Sequence, residues 1–176
     1  YIADFCSSAA SDVNIPTGLI REFVEREQAK LDAMIRRSGG EDASAIKQQM
    51  QEVMSGKVGI FRTGAELDEA VDVLQKLLAR SRNIGLRAHS PGTNPELVTA
   101  YRVQKMLKLA LTVAHGAQVR TESRGAHFRQ DFPRRDDAQW LKRTLATWTS
   151  ESDMLPTLAY EPIDVKRMEL PPGWRG

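Results

Sequence analysis

Four stretches of this chain repeat apolar residues at three- and four-residue steps, and each is framed by residues that start or stop a helix. That rhythm leaves little choice of fold. Pro16 suits the first turn of a helix, and Leu19, Ile20, Phe23, Val24, Leu31, Met34 and Ile35 follow until the SGG at 38–40 breaks the pattern. Asp42 is placed as the N-cap of a second and shorter helix carrying Ile46, Met50, Val53 and Met54, with Gly56 as its C-terminal glycine. TGAE at 63–66 reads as a capping box, with the Thr63 hydroxyl accepting from the Glu66 amide and Glu66 reaching back. Leu67, Val71, Leu74, Leu77 and Leu78 continue that third helix, which should fade between Arg82 and Gly85. Asn94 as N-cap and Pro95 at the first helical position launch the fourth. It is the most apolar, running through Leu97, Val98, Tyr101, Met106, Leu107, Leu109, Ala110, Val113, Ala114 and Ala117, and belongs at the centre. Helices joined by short loops bury such stripes best as an antiparallel bundle.

After residue 122 the rhythm changes. DDAQWLKRTLATW fits either a short helix or an extended segment. PTLAYEPIDVKRMEL alternates as a strand does, with Leu158 and Tyr160, then less regularly Ile163, Val165 and Met168. Two strands are not stable alone in water, so this tail must lie on the bundle or on something outside the chain. The first residues, with Ile2, Phe5 and Cys6 at helical spacing and no cap, read as the last turns of a helix that begins earlier. The chain is therefore expected to be a piece of a longer one. Its divisions are 1–13 as the end of a preceding helix, 14–122 as the bundle, and 123–176 as a charged segment and irregular tail. The predicted fold is all-α, an antiparallel, spectrin-repeat-like bundle with a partly extended C-terminal tail.

Charge narrows the partners. The 25 basic and 23 acidic residues leave a net charge of +2, which gives bulk electrostatics no reason to favour nucleic acid or an anionic membrane. A single cysteine, Cys6, excludes an intrachain disulfide and a cysteine metal site built by this chain alone. No run of apolar residues reaches the roughly 20 needed to span a membrane. Neither a dinucleotide glycine fingerprint, a Walker loop nor zinc-ligand spacing occurs.

The chemistry concentrates in TESRGAHFRQDFPRRDD at 121–137. Ser123, Arg124, Gly125 and His127 gather a hydroxyl, a guanidinium and an imidazole that could hold a carboxylate. A hydrolytic Ser/His pair would also need an orienting acid and oxyanion donors, which proximity in sequence does not supply. His115, on the apolar helix, reads as a core or interface residue, and His89 lies in a Pro/Gly loop without an evident partner. Arg120, Arg124, Arg129, Arg134 and Arg135 alternate with Glu122, Asp131, Asp136 and Asp137, so their field is largely cancelled and phosphate binding gains little. Interleaved signs point to ion pairs of the kind found where domains or subunits meet. On residue chemistry alone the segment is a polar docking surface, with Phe128, Phe132 and Trp140 as apolar anchors.

The run RTESRGAHFRQDFPRRDDAQWLKRTLATW, from Arg120 to Trp148, resembles the C-terminal region of the flavoprotein subunit of fumarate reductases and succinate dehydrogenases. MQEVMSGKVGIFRTGAELDEAV at 50–71 is similar to the family's segment around a G-I-x-R-T turn, and YEPIDVKRMELPP at 160–172 is similar to its closing strand. The resemblance implies a helical C-terminal domain of the FAD-containing subunit that interconverts fumarate and succinate. Electrons would pass through an iron–sulfur subunit to or from quinone in a membrane anchor. The family's flavin and dicarboxylate residues precede this region, so it implies no catalytic, cofactor or metal residue here, no turnover by this chain alone, and FAD only in the full-length subunit. The implied partners are the flavin-binding domain of the same polypeptide, the iron–sulfur subunit and, indirectly, the membrane quinone anchor, with no nucleic acid. The implied location is peripheral, on the cytoplasmic side of a bacterial inner membrane. Within that frame Arg124, His127, Arg129, Asp131, Arg135, Asp136 and Trp140 form the expected docking set. L-aspartate oxidase, whose C-terminal domain carries a related S-R-G-x-H stretch, is the alternative in the same superfamily, and an independent helical interaction module is the alternative outside it.

Overall fold

A computed structural model describes residues 16–89 and 92–163. Helices dominate: α1 (Thr17–Arg36), α2 (Ala43–Lys57), α3 (Gly64–Ser81) and α4 (Pro95–Val119), followed by the one-turn α5 (Asp137–Trp140). Two small sheets accompany them. β1 (Phe61–Arg62) pairs in parallel with β2 (Phe128–Arg129), and β3 (Lys142–Thr147) pairs antiparallel with β4 (Thr157–Pro162). The observed architecture is therefore a helical bundle with two two-stranded sheets on it.

The caps explain where the helices start. The Asp42 carboxylate accepts from the Ser44 amide, Asn94 from the Leu97 amide, and Thr63 forms the full reciprocal box with Glu66. Neighbouring helices run antiparallel. The Glu41 amide donates to the Asn83 carbonyl at 2.8 Å where α2 begins and α3 has ended, while Lys57 pairs with Glu69 at the opposite end. Gln104 reaches the Ser81 carbonyl at 2.7 Å, and Gln118 reaches Asp68 at 2.6 Å, which sets α4 against α3 in the same way. Ile46, Leu67, Leu74, Leu77, Val103, Leu107 and Leu111 fill the space between these three helices and are almost completely buried.

Gly85 permits the close crossing between the α1–α2 turn and the end of α3. A Cβ there would lie 1.9 Å from the Gly39 carbonyl oxygen. Gly40, at φ +125°, occupies a conformation that L side chains rarely adopt.

Three expectations are corrected. Gly56 does not end α2, which continues to Lys57; the Val58 amide closes the turn on the Met54 carbonyl. Val98, Leu109 and Val113 are exposed because only the α4 face bearing Ala100, Val103, Leu107, Ala110, Leu111, Ala114 and Ala117 turns toward α2 and α3. On α1 the apolar stripe is not buried by the bundle: Leu19, Ile20, Phe23 and Val24 are each about half exposed or more, and Met34 is its one buried residue. Contacts hold the later part of α1, where Glu27 accepts from the Tyr101 hydroxyl at 2.6 Å.

The ambiguous stretch after Asp136 is both things it could be, a helical turn to Trp140 and then a strand. Its hairpin lies on the bundle: the Trp148 indole donates to Thr112 on α4 at 3.1 Å, and Met154 and Leu155 pack on the core. The expectations for residues 1–13 and for Val165 and Met168 fall outside the described residues.

Candidate functional site

The charged segment leaves α4 at Arg120 and returns across the end of the bundle. Its centre is Glu122, which is fully buried. Arg124 grips it with Nε at 2.9 Å and Nη2 at 3.1 Å, Arg120 pairs with it from the other side, and the Asp136 amide donates to it at 2.8 Å. Burial alone would raise the pKa of Glu122. The Arg124 and Asp136 hydrogen bonds and the two arginine charges outweigh that and hold it below the ordinary carboxylate value. Arg124 also reaches Asp137 at 2.5 Å, and its hydrogen bonds to Glu122 keep its own pKa raised.

A second clamp joins the ends of two helices. Arg129, 3% exposed, donates from Nη1 to the carbonyls of Ala117, Gln118 and Arg120, which α4 leaves without intrahelical partners. Its other edge holds Asp131 bidentately at 2.8 and 2.7 Å, and Asp131 accepts from the Gly64 amide at 2.9 Å. A cation thus closes the negative end of α4 and an anion the positive end of α3. The Arg129 hydrogen bonds, with help from the Gly64 amide, lower the Asp131 pKa to about 2.

The other expected residues spread outward from these two centres. Asp136 caps α5 by accepting from the Gln139 amide. Trp140 is buried, donates to Thr121 at 3.1 Å, lies under Arg120 and Lys142, and meets Tyr160 edge-on at 5.7 Å. Phe128 packs edge-on against Phe61 at 5.5 Å. Arg135 pairs with Asp137 on the surface, and Phe132 and Arg134 are also exposed. Ser123 serves backbone, accepting from the Arg129 amide at 2.9 Å and donating to the Phe132 carbonyl at 2.8 Å.

The set Ser123, Arg124, Gly125 and His127 is therefore not brought together as a carboxylate grip. Gly125, at φ +57°, turns the chain so that Arg124 and His127 exchange backbone hydrogen bonds while their side chains separate. His127 meets Arg62 instead, Nδ1 to Nη2 at 2.9 Å. Burial and the Arg62 charge lower the histidine's pKa, and the Arg120 carbonyl acts in the opposite direction. His115 bonds Gln118 and His89 lies against the Ile35 carbonyl. Glu122 and Arg62 are the two residues that spacing alone did not single out. The available signal for Glu122 was its place between two arginines, which a buried hub requires.

Among the described residues, no group of histidine, cysteine and acidic side chains is arranged to hold a metal, and no helix is long and apolar enough to cross a membrane. Residues 47–176 match the sequence profile of the family described as fumarate reductase flavoprotein C-term. The chain is 47% identical, over its whole length, to the fumarate reductase flavoprotein subunit of Helicobacter pylori strain J99, of which it covers 24%. It is 34% identical to the subunit of the same description from Mycobacterium tuberculosis strain CDC 1551, over 98% of this chain and 29% of that one. The chain thus spans about a quarter of the length of these curated relatives. Among solved structures it superposes on a quinol-fumarate reductase with menaquinol molecules at a TM-score of 0.81, 28% identity, 94% of this chain and 28% of that one. The Mycobacterium smegmatis Sdh1 complex gives a TM-score of 0.70 at 26% identity, over 91% of this chain and 26% of that one.

Proposed function

The chain belongs to the fumarate reductase flavoprotein C-terminal family, and from that membership we propose that it serves as the C-terminal helical domain of an FAD-containing subunit interconverting fumarate and succinate. The unbroken likeness across the whole chain carries this reading and favours it over an independent helical module. In this proposal electrons pass through an iron–sulfur subunit to or from quinone, and the subunit lies peripherally on the cytoplasmic side of a bacterial inner membrane. The helices form a spectrin-repeat-like unit whose task is structural.

The residues described do not fit a flavin pyrophosphate. The helix N-terminus that follows a strand, that of α3 after β1, already receives the Asp131 carboxylate at Gly64 and the Glu66 carboxylate at Thr63. A phosphate there would meet two negative charges. No redox step is therefore assigned to this chain.

Its proposed role is to dock. The ion pairs of Glu122 tie the segment to itself, and Arg129 and Asp131 hold it on the bundle through the α4 carbonyls and the Gly64 amide, which fixes His127, Asp136 and Trp140 as well. The side chains left outside, Phe132, Arg134 and Arg135, are placed to meet the flavin-binding part of the subunit or the iron–sulfur subunit. The test is to assay the full-length subunit containing this chain, with its iron–sulfur partner, for fumarate-dependent oxidation of a reduced viologen dye. Activity that disappears when residues 16–163 are deleted is the expected result. A subunit that turns over normally without them would refute the assignment of an essential role.

A further inference from the structure

Parallel pairing of β1 with β2, Phe61 beside Phe128 and Arg62 beside Arg129, ties the connection between α2 and α3 to the charged segment. Two backbone hydrogen bonds cross it, from the Phe128 amide to the Ile60 carbonyl at 3.2 Å and from the Gln130 amide to the Arg62 carbonyl at 2.9 Å. So short a pairing is marginal by itself and depends on what the side chains do across it. Arg62 and His127 meet there, Nη2 to Nδ1 at 2.9 Å.

That contact suits only one form of the ring. A guanidinium nitrogen can only donate, so Nδ1 is the acceptor and the neutral ring carries its proton on Nε2, buried on the opposite side toward the backbone of Arg120. A second proton would have to sit on Nδ1, facing a donor. Arg62 cannot yield, because its guanidinium does not deprotonate, and no acidic side chain among the described residues pairs with it. Burial first, then the charges of Arg62 on β1, Arg120 at the end of α4 and Arg129 on β2, oppose a proton on the ring, and the Arg120 carbonyl alone favours one. Thr112 of α4 and Thr144 of β3, which line the same cleft, are neutral. Glu122 and Asp131 are already held by Arg120, Arg124 and Arg129. The folded ring therefore titrates below the ordinary histidine value of 6.5.

We propose that Arg62 and His127 form a proton-sensitive latch, in which the neutral ring holds β1 to β2 and the protonated ring lets them part. The open form accepts a proton near the ordinary value and the closed form refuses it, so the closed form is fully favoured above 6.5 and loses ground as pH falls below it. Glu122 and Asp131, whose pKa values are lowered from already acidic ones, stay charged meanwhile. The latch belongs to the folded chain and stands whether or not its segment docks.

The test is amide hydrogen exchange, expressed as protection factors so that the intrinsic pH dependence of exchange is removed. Between about pH 7.5 and about pH 5 the protection of the Phe128 and Gln130 amides is expected to fall by roughly ten- to thirtyfold, the linkage between an open ring of ordinary pKa and a closed one that stays mostly neutral. At both values these amides should be less protected than those of Leu107 and Leu111 in the core, which marks a local opening. His127→Gln keeps an acceptor for Arg62 but cannot take a proton, and should abolish the fall. Arg62→Gln can donate to the neutral ring or accept from the protonated one, so it should raise the midpoint at which the His127 signal titrates in spectra of the chain with carbon-13 at histidine Cε1. Wild-type protection that does not change with pH, a fall that persists in His127→Gln, opening only together with the core, or a His127 midpoint that Arg62→Gln leaves in place would each overturn the proposal.

Discussion

Replacing Glu122 by glutamine keeps the size of the side chain and removes its charge, at the position where the segment is most tightly built. The buried carboxylate receives Arg124 at two atoms, Arg120 at a third contact and the Asp136 amide. Glutamine offers one acceptor oxygen and turns an N–H₂ group toward a guanidinium. Removing one partner of a buried ion pair typically costs about 3–5 kcal/mol. Here the low end applies, because Arg120 and Arg124 are 15% and 27% exposed and Arg124 retains Asp137. We expect a loss of about 3 kcal/mol at neutral pH, which for a chain of this size lowers Tm by roughly 6–12 °C. Urea unfolding followed by circular dichroism should show a lower midpoint with an unchanged slope. Adding salt should recover little of the difference between wild type and variant, since a buried pair is poorly screened. In a double-mutant cycle with Arg124→Gln the two losses should be less than additive. A loss below about 1 kcal/mol, the range of a surface pair, would refute the claim that Glu122 organises the segment.

The clamp at the helix ends should show itself in pH. Asp131 has its pKa lowered from 3.8 to about 2 in the folded chain, so its contribution is full above 3.8 and is lost as pH falls toward 2. Because the carboxylate is 36% exposed, solvent screening reduces that contribution to about 1 kcal/mol, and Asp131→Asn should cost this much at pH 7 and converge with wild type in acid. Urea titrations across that range would show it; a pH-independent difference would contradict it. Gly85→Ala should cost about 1–3 kcal/mol by forcing apart the turn at Gly39 and the end of α3, and should expose the Glu41 and Gly85 amides to hydrogen exchange.

Local signals carried most of the fold. Asp42, Thr63 and Asn94 cap helices because each side chain needs only its own next few amides, and that is written in consecutive residues. Burial was less legible. Leu109 is the same residue type as Leu107 and Leu111, Val113 is as plainly apolar, and α4 is apolar on so many sides that periodicity could not say which face meets α2 and α3. The stripe on α1 was read correctly as a helix, yet a stripe does not specify what covers it. In the charged segment the residue types announced ion pairs, and Arg124, Arg129 and Asp131 make them. The hub was missed because Glu122 gains its importance from burial, which depends on how the segment folds back over α4. His127 was grouped with its sequence neighbours, whereas its real partner, Arg62, lies 65 positions earlier and arrives only through a parallel pairing of two-residue strands. Such short pairings have no alternation to read.

The central claim is that the inner ion pairs build the segment and its outer side chains dock it. Substituting Arg124 or Asp131 would mix the two effects, since both hold the fold together. A direct measurement is the affinity of this chain for the separately expressed flavin-binding portion of its subunit, comparing wild type with the double variant Phe132→Ser, Arg135→Glu, whose positions are exposed. The account predicts binding by the wild type, at least about tenfold weaker binding by the variant, and a Tm lowered by no more than roughly 8 °C, the loss of the Phe132 ring's contact with Arg129 and of the surface Arg135–Asp137 pair at about 1 kcal/mol each. Wild-type chain that does not bind, or a variant that binds as tightly, would contradict it.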